Sequence, residues 1–177
     1  MSWVTSGRYQ LTLTAPVRVE GVGLPGSASG VRCPILRGDM SRTLVIAKPD
    51  AVERGLTGEI IARLERKGLR LVAAQLRTID AELAAQHYAE HVGKGFYDDL
   101  VEFIGRSPAL VLVVEGPTDD TFKVVRTLMG ATNPVDAAPG TIRGDLGILF
   151  TENLVHGSDS PESAEREIGI FFPELSA

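Results

Sequence analysis

The hydrophobic period of this chain switches between strand-like and helix-like in a definite order, and that order restricts the fold more than any other feature. Thr43–Ala47 is a short Leu/Val/Ile run, the length and composition of a buried strand. Thr57–Lys67 reads as a helix, with Thr57 as its cap, Glu59 early, Ile60, Ile61 and Leu64 on one face, and Gly68 as its stop. Leu69–Ile79 reads as a second strand, in which Gln75 and Arg77 alternate with Leu76 and Thr78. Asp80 caps a helix running to about Glu90, and Tyr97–Arg106 is another short helix. Ala109–Glu115 is a strongly apolar strand, and Asp119–Met129 a helix ending at Gly130. Leu146–Phe150 is the expected last strand and Pro161–Ile168 the last helix. Strand, helix, strand, strand, helix, strand is the order of the split βαβ unit. The expected class is therefore α+β: a ferredoxin-like βαββαβ sandwich with a four-stranded antiparallel sheet and additional helices.

The first 39 residues do not share this pattern. They hold six glycines and three prolines, a short alternating run at Tyr9–Thr14, and a linker-like stretch at Gly21–Gly30. We expect a disordered, dispensable Gly/Pro-rich extension over 1–39 and a compact domain over 41–177, with Met40 a candidate start of translation. The extension carries four arginines and two acidic residues, which leaves 14 basic and 21 acidic residues in the remainder. With that balance, and no Lys/Arg stripe, nucleic-acid binding is not expected. The single cysteine, Cys33, allows no intramolecular disulfide and fits a reducing compartment. Apolar runs such as Ala109–Val114 are far shorter than the roughly 20 residues of a membrane helix. A cytoplasmic protein without membrane partners is the expectation.

The chemistry concentrates at Asn153–Glu162, where His156 stands just before a strong helix start. Ser160 is a good N-cap, Pro161 suits the first helical position, and Glu162 favours the first turn. A histidine there has rigid support and free backbone N–H groups nearby, which suits a nucleophile that takes up an anionic group. Glu167, two to three turns into the helix, is a carboxylate able to orient the ring. Lys48 ends the first strand in Ala-Lys-Pro-Asp50, where it offers a point charge for a phosphate or is simply solvated. Arg126, before Gly130, and Arg143, at the base of an irregular 16-residue loop from Gly130 to Asp145, suit phosphate oxygens. A surface ion pair is the plainer role for either arginine. Thr132 adds a hydroxyl to that loop. Phe96 follows two glycines in a turn, and either stacks on a base or joins the core. Tyr88 offers its hydroxyl or caps a helix face. His87 and His91 have metal-ligand spacing, but with no third ligand nearby they read as surface or structural residues. There is no GxxxxGK[ST] loop and no GxGxxG, so a nucleotide would be bound without a glycine cradle.

Taken together, these segments resemble the nucleoside diphosphate kinase family from about Ser41 to Leu175. The specific signature is NxxHGSDS, present as Asn153–Ser160, supported by Thr43–Asp50, His87–Leu100, Arg126–Pro134 and the PGTIRGD of Pro139–Asp145. The resemblance implies that His156 is phosphorylated at its pros nitrogen, and that Tyr88, Ser158 and Glu167 support it. It implies that Lys48, Arg126, Thr132 and Arg143 contact phosphates, that Asn153 with Lys48 holds sugar hydroxyls, and that Phe96 stacks on the base. It further implies a ping-pong exchange, usually from ATP to other nucleoside diphosphates. Mg²⁺ would be held mainly by the nucleotide's phosphates and not by protein side chains. The resemblance also implies a homo-oligomer, tetramer or hexamer. The Ala-, Arg- and Gly-rich composition resembles the bacterial type.

Two other functional classes fit these residues less well. A non-catalytic module on the same fold would be expected to lack His156 or Arg143, and both are present. A helical phosphotransfer domain is opposed by the strand content.

Overall fold

A computed structural model of the protein describes residues 40–175. The expected strand at Tyr9–Thr14 and linker at Gly21–Gly30 lie outside the described residues. In chain order the elements are β1 (Ser41–Ala47), α1 (Pro49–Glu53), α2 (Thr57–Arg66), β2 (Arg70–Arg77), α3 (Ala81–His87), α4 (Tyr97–Gly105), β3 (Ala109–Gly116), α5 (Thr121–Met129), α6 (Ile142–Leu146), β4 (Val155–Gly157) and α7 (Pro161–Phe171). Single 3₁₀ turns occur at Ala89–His91, Pro134–Asp136 and Pro173–Leu175.

The four strands form one antiparallel sheet in the order β2-β3-β1-β4. This is the ferredoxin-like arrangement. The two central strands pair over their whole length, from Ser41 opposite Gly116 to Ala47 opposite Leu110. Successive side chains point to opposite faces, so each central strand feeds two cores. Val45, Ala47, Leu112 and Val114 pack with Ile60 and Leu64 of α2, Val125 and Met129 of α5, and Ile142 of α6. Leu44, Ile46, Val111 and Val113 pack on the other face with Ala84, Tyr88, Ile104, Ile168 and Phe171. Burial on both faces explains why β1 and β3 read as continuous apolar runs. The edge strand β2 has no fully buried residue and carries Arg70, Gln75 and Arg77, with an irregularity in its pairing between Leu71 and Ala73.

Four expectations need correction. Leu146–Phe150 is not a strand: Leu146 ends α6, and Ile148, Leu149 and Phe150 are exposed. The Asn153 side chain donates to the Phe150 and Thr132 carbonyls at 3.1 and 2.9 Å and anchors this segment to the Thr132 loop. The last strand is instead the three-residue β4, paired to Val45–Ala47. Thr57 is the first residue of α2 and makes no cap; Leu56 holds the cap position without a side-chain bond. The helix after Asp80 stops at His87, and Ala89–His91 continues as a 3₁₀ turn. The Gly130–Asp145 segment is not structureless: Thr141 Oγ accepts the Gly144 N–H at 3.1 Å and starts α6. Arg143 therefore projects from a short helix.

The cap signals at Asp80 and Ser160 hold. Asp80 accepts the Leu83 N–H and Ser160 accepts the Ser163 N–H. Among the described residues no helix is long and apolar enough to cross a membrane.

Candidate active site

The carboxyl end of β1, the amino-terminal approach to β4, and helices α3, α5, α6 and α7 converge on one cleft. Lys48, Tyr88, Arg126, Thr132, Arg143, Asn153, His156 and Glu167 all line it. Eight of the ten residues singled out from sequence thus meet in one place. Ser158 sits behind it, and Phe96 lies outside its lining.

His156 is central. It lies in β4 opposite Ile46, so the sheet fixes its backbone. Its Nε2 is 3.1 and 3.2 Å from the two Glu167 oxygens. Glu167 is buried on α7 and also accepts the Ser158 hydroxyl at 2.6 Å. Ser158 is locked in turn, since its Oγ accepts the Leu44 N–H at 3.3 Å. Burial alone would push the Glu167 carboxyl upward. The His156 hydrogen bond and charge, with help from Ser158 and His87, outweigh it and hold the group down at about 2. The carboxylate therefore stays ionised and favours a proton on Nε2, which leaves the Nδ1 lone pair free. No described residue hydrogen-bonds Nδ1.

The opposite wall is cationic. Arg143 is buried and donates to three carbonyls: Nε to Asn153 at 3.2 Å, Nη1 to Gly130 at 2.8 Å and Nη2 to Val155 at 2.6 Å. Carbonyls fix its geometry without cancelling its charge. Burial and the neighbouring Arg126 lower it to about 10, so it remains cationic at neutral pH. Lys48 is buried, and its Nζ donates to Asn153 Oδ1 at 2.7 Å. Burial and Arg143, partly opposed by Asp50, lower it to about 8. Arg126 donates to the Gly157 carbonyl at 3.3 Å. None of the three makes an ion pair among the described residues. The plainer role considered for the arginines, a surface ion pair, does not apply. Three cations that make no ion pair, gathered around one cleft, suit a polyanion.

Phe96 is about half exposed and edge-on to His91, with ring centres 5.7 Å apart. It is not a core aromatic. Tyr88 is buried against His87, and burial with the nearby Glu167 raises its hydroxyl well above the usual range. It keeps its proton.

The two i, i+4 histidines part company. His91 faces Tyr88 and Phe96, whereas His87 is buried at right angles to His156 with ring centres 4.7 Å apart. His87, His156 and Glu167 bring possible ligand atoms within 4.8 Å of one another. Glu167 already serves His156 and Ser158, however, and a cation there would displace the bond that orients His156. Asp50 received no role from sequence reasoning, although it stands two residues after Lys48. It is buried and accepts the Leu154 N–H at 3.0 Å.

The family model for nucleoside diphosphate kinase matches residues 41–176. The chain belongs to this family. The nucleoside diphosphate kinase of Saccharopolyspora erythraea is 61% identical over 135 residues, which cover 76% of this chain and 98% of that protein. The enzyme of Nocardioides sp. is 62% identical over 134 residues, covering 76% and 98%. Among solved structures, a halophilic nucleoside diphosphate kinase from Halobacterium salinarum in complex with CDP has a TM-score of 0.72 and 53% identity, covering 75% of this chain and 87% of that one. The protein is thus a phosphotransferase of the nucleoside diphosphate kinase type and acts on nucleotides.

Proposed function

We propose that His156 is the nucleophile of a two-step phosphate exchange between nucleotides. The observation that carries this reading is the chain Ser158–Glu167–His156, which commits Nε2 and leaves Nδ1 free in a cleft that Lys48, Arg126 and Arg143 also line. In the first step the Nδ1 lone pair attacks the γ-phosphorus of a nucleoside triphosphate, mainly ATP. The P–N bond forms as the bond to the β-phosphate oxygen breaks, and the electron pair leaves on the diphosphate. Glu167 holds the Nε2 proton throughout and offsets the positive charge that develops on the ring. In the second step a terminal oxygen of another nucleoside or deoxynucleoside diphosphate attacks the same phosphorus, and the electron pair returns to Nδ1. GTP, UTP and CTP are the products.

Lys48, Arg126 and Arg143 take the phosphate oxygens, with Thr132 adding its hydroxyl. Asn153 and Lys48 hold sugar hydroxyls, and Phe96 stacks on the base. Stacking and sugar contacts ignore base identity, so broad acceptor use follows. The buried carboxylate of the cleft, Glu167, is already taken by His156 and Ser158, so the site suits a Mg²⁺ ion that arrives on the nucleotide's phosphates. There the ion would neutralise charge between the phosphates. A homo-oligomer, tetramer or hexamer, is supported by the exposed apolar residues Val135, Ile148, Leu149 and Phe150. Cytoplasmic location follows from the substrates.

The test is incubation with γ-labelled ATP and Mg²⁺, followed by peptide mass spectrometry. The expected result is an acid-labile, base-stable phosphate on the peptide containing His156, discharged by GDP or CDP. A folded protein that takes no label, or one that exchanges phosphate as fast after His156→Ala, would overturn the reading.

A further inference from the structure

Leu154 is the single non-glycine residue with positive φ among the described residues, at 71°. The Val155 N–H donates to the Asn153 carbonyl at 2.8 Å and closes a three-residue turn around it. A γ-turn with positive φ is rare and strained, and glycine would enter it at lower cost. Leucine occupies it because its side chain is fully buried and belongs to the core cluster that also holds Ala51, Ile142 and Val155. The turn lies between two residues of the site, Asn153 and His156.

Several bonds hold it in place. The Leu154 N–H donates to Asp50 Oδ2 at 3.0 Å, and the Leu154 carbonyl accepts the Lys48 N–H at 2.8 Å. On either side, Arg143 grips the Asn153 and Val155 carbonyls. Among the described residues, Asp50 is the one side chain that hydrogen-bonds the central residue. It is 2% exposed, on the short helix α1, and its other oxygen is buried without a partner. A buried carboxylate with a single strong acceptor bond is costly to keep for stability alone.

We propose that Asp50 is a positioning residue for phosphate transfer: by accepting the Leu154 N–H it holds the strained turn that aims Asn153 and His156 into the cleft. The proposal rests on His156 as the phosphate acceptor. It differs from the roles of Lys48 and Arg143, because Asp50 acts through the backbone of Leu154 and lies outside the cleft lining. Without the acceptor the turn relaxes toward ordinary backbone, and the imidazole moves away from its line of attack. Displacement of a reacting group by about 1 Å costs on the order of 100-fold in rate.

Three variants separate positioning from folding. Asp50→Ala removes the acceptor. Asp50→Leu also removes it but keeps side-chain volume, so it remains folded if the cavity in Asp50→Ala proves too damaging. Asp50→Asn keeps an oxygen that can accept the N–H. Each is measured by single-turnover phosphorylation of His156 at saturating ATP, with the melting midpoint recorded alongside.

The expected result is a rate about 10- to 100-fold lower in Asp50→Ala and Asp50→Leu, recovered to within about threefold of the parent in Asp50→Asn. Asp50→Leu should lose rate without a matching loss in melting midpoint. A parental rate in a folded Asp50→Leu protein overturns the proposal. So does an Asp50→Asn protein as slow as Asp50→Leu, since the charge would then act and not the acceptor. The parent protein is the control for the underlying assignment. If it takes no phosphate on His156, that assignment fails; if it does, the variants judge Asp50 alone.

Discussion

The two walls of the cleft hold their charged groups by opposite means. On the cationic wall, Arg143, Lys48 and Arg126 are fixed by carbonyl and amide oxygens, so their charge faces the cleft uncancelled. On the imidazole wall, the Glu167 carboxylate fixes His156 and pairs directly with it. Neutral acceptors orient a cation without reducing its pull on phosphate. A carboxylate orients an imidazole and also sets which nitrogen is free. The first wall is built to bind charge and the second to move a bond.

Breaking the cationic wall should have the largest effect. Arg143→Met removes a buried cation and leaves the Gly130, Asn153 and Val155 carbonyls without their donor. Exchange should fall about 10³-fold, in the range associated with arginines that meet transferring phosphoryl groups. Arg143→Lys should recover little of it, because an ammonium cannot reproduce the guanidinium's fixed fork of donors. Steady-state exchange from ATP to GDP measures both, and a Lys variant near parental rate would mean that charge alone matters.

Breaking the imidazole wall should come next. Glu167→Gln keeps the shape but removes the charge that favours a proton on Nε2, and exchange should fall about 100-fold. The same residue gives an acid signature. Its folded value of about 2 lies below its ordinary 4.5. Its contribution to stability is therefore present above pH 4.5 and is lost as pH falls from there through about 2. Denaturant unfolding at a series of acid pH values should show this decline in the parent and a smaller one in Glu167→Gln.

Lys48 sharpens the comparison through pH. It falls from 10.5 to about 8, chiefly through burial and then through Arg143. It is charged below that value, so kcat/KM should decline as pH rises through about 8. Lys48→Met should lower kcat/KM about tenfold at neutral pH, the size of a charge-assisted contact, and abolish that alkaline limb. The stability sign is the reverse. A lowered lysine costs stability while protonated, and the cost is relieved between about pH 8 and 10.5, where the unfolded chain still holds the proton.

Most of the fold and most of the cleft were legible in the chain, for reasons that also explain the failures. β1 and β3 are buried on both faces, so their signal is a bare apolar run that periodicity detects. Asp80 and Ser160 act within three residues, a range that local sequence reports. Ile148–Phe150 is also an apolar run, but no neighbouring strand is available to it, and pairing is not written into the segment itself. β4 is too short to announce itself, and Ile46 and Val45 opposite decide its existence. The cleft cations were visible as residue types, whereas their partners were not. Arg143 bonds to carbonyls up to 13 residues away, and Asp50 to an N–H 104 residues away. Backbone groups carry no sequence signature.

The smallest effect concerns His87, which shares the imidazole wall but is held there by ring packing alone, without a hydrogen bond. Both its ring nitrogens are buried without a hydrogen-bond partner, and its nearest carboxylate oxygen, on Glu167, is 3.8 Å away. Burial, reinforced by His156, pushes it down to about 3, so it is neutral wherever the enzyme would be assayed. An unsatisfied buried polar group costs about 1–3 kcal/mol. His87→Phe keeps an aromatic ring against Phe171 and removes that cost, so stability should hold or rise by about 1 kcal/mol. Exchange should stay within about threefold, because the packing that supports His156 is kept. A stable His87→Phe protein that has lost most of its rate would show that the second imidazole takes part in the chemistry. The wall would then work as a pair of rings sharing one carboxylate, and not as one ring fixed by it.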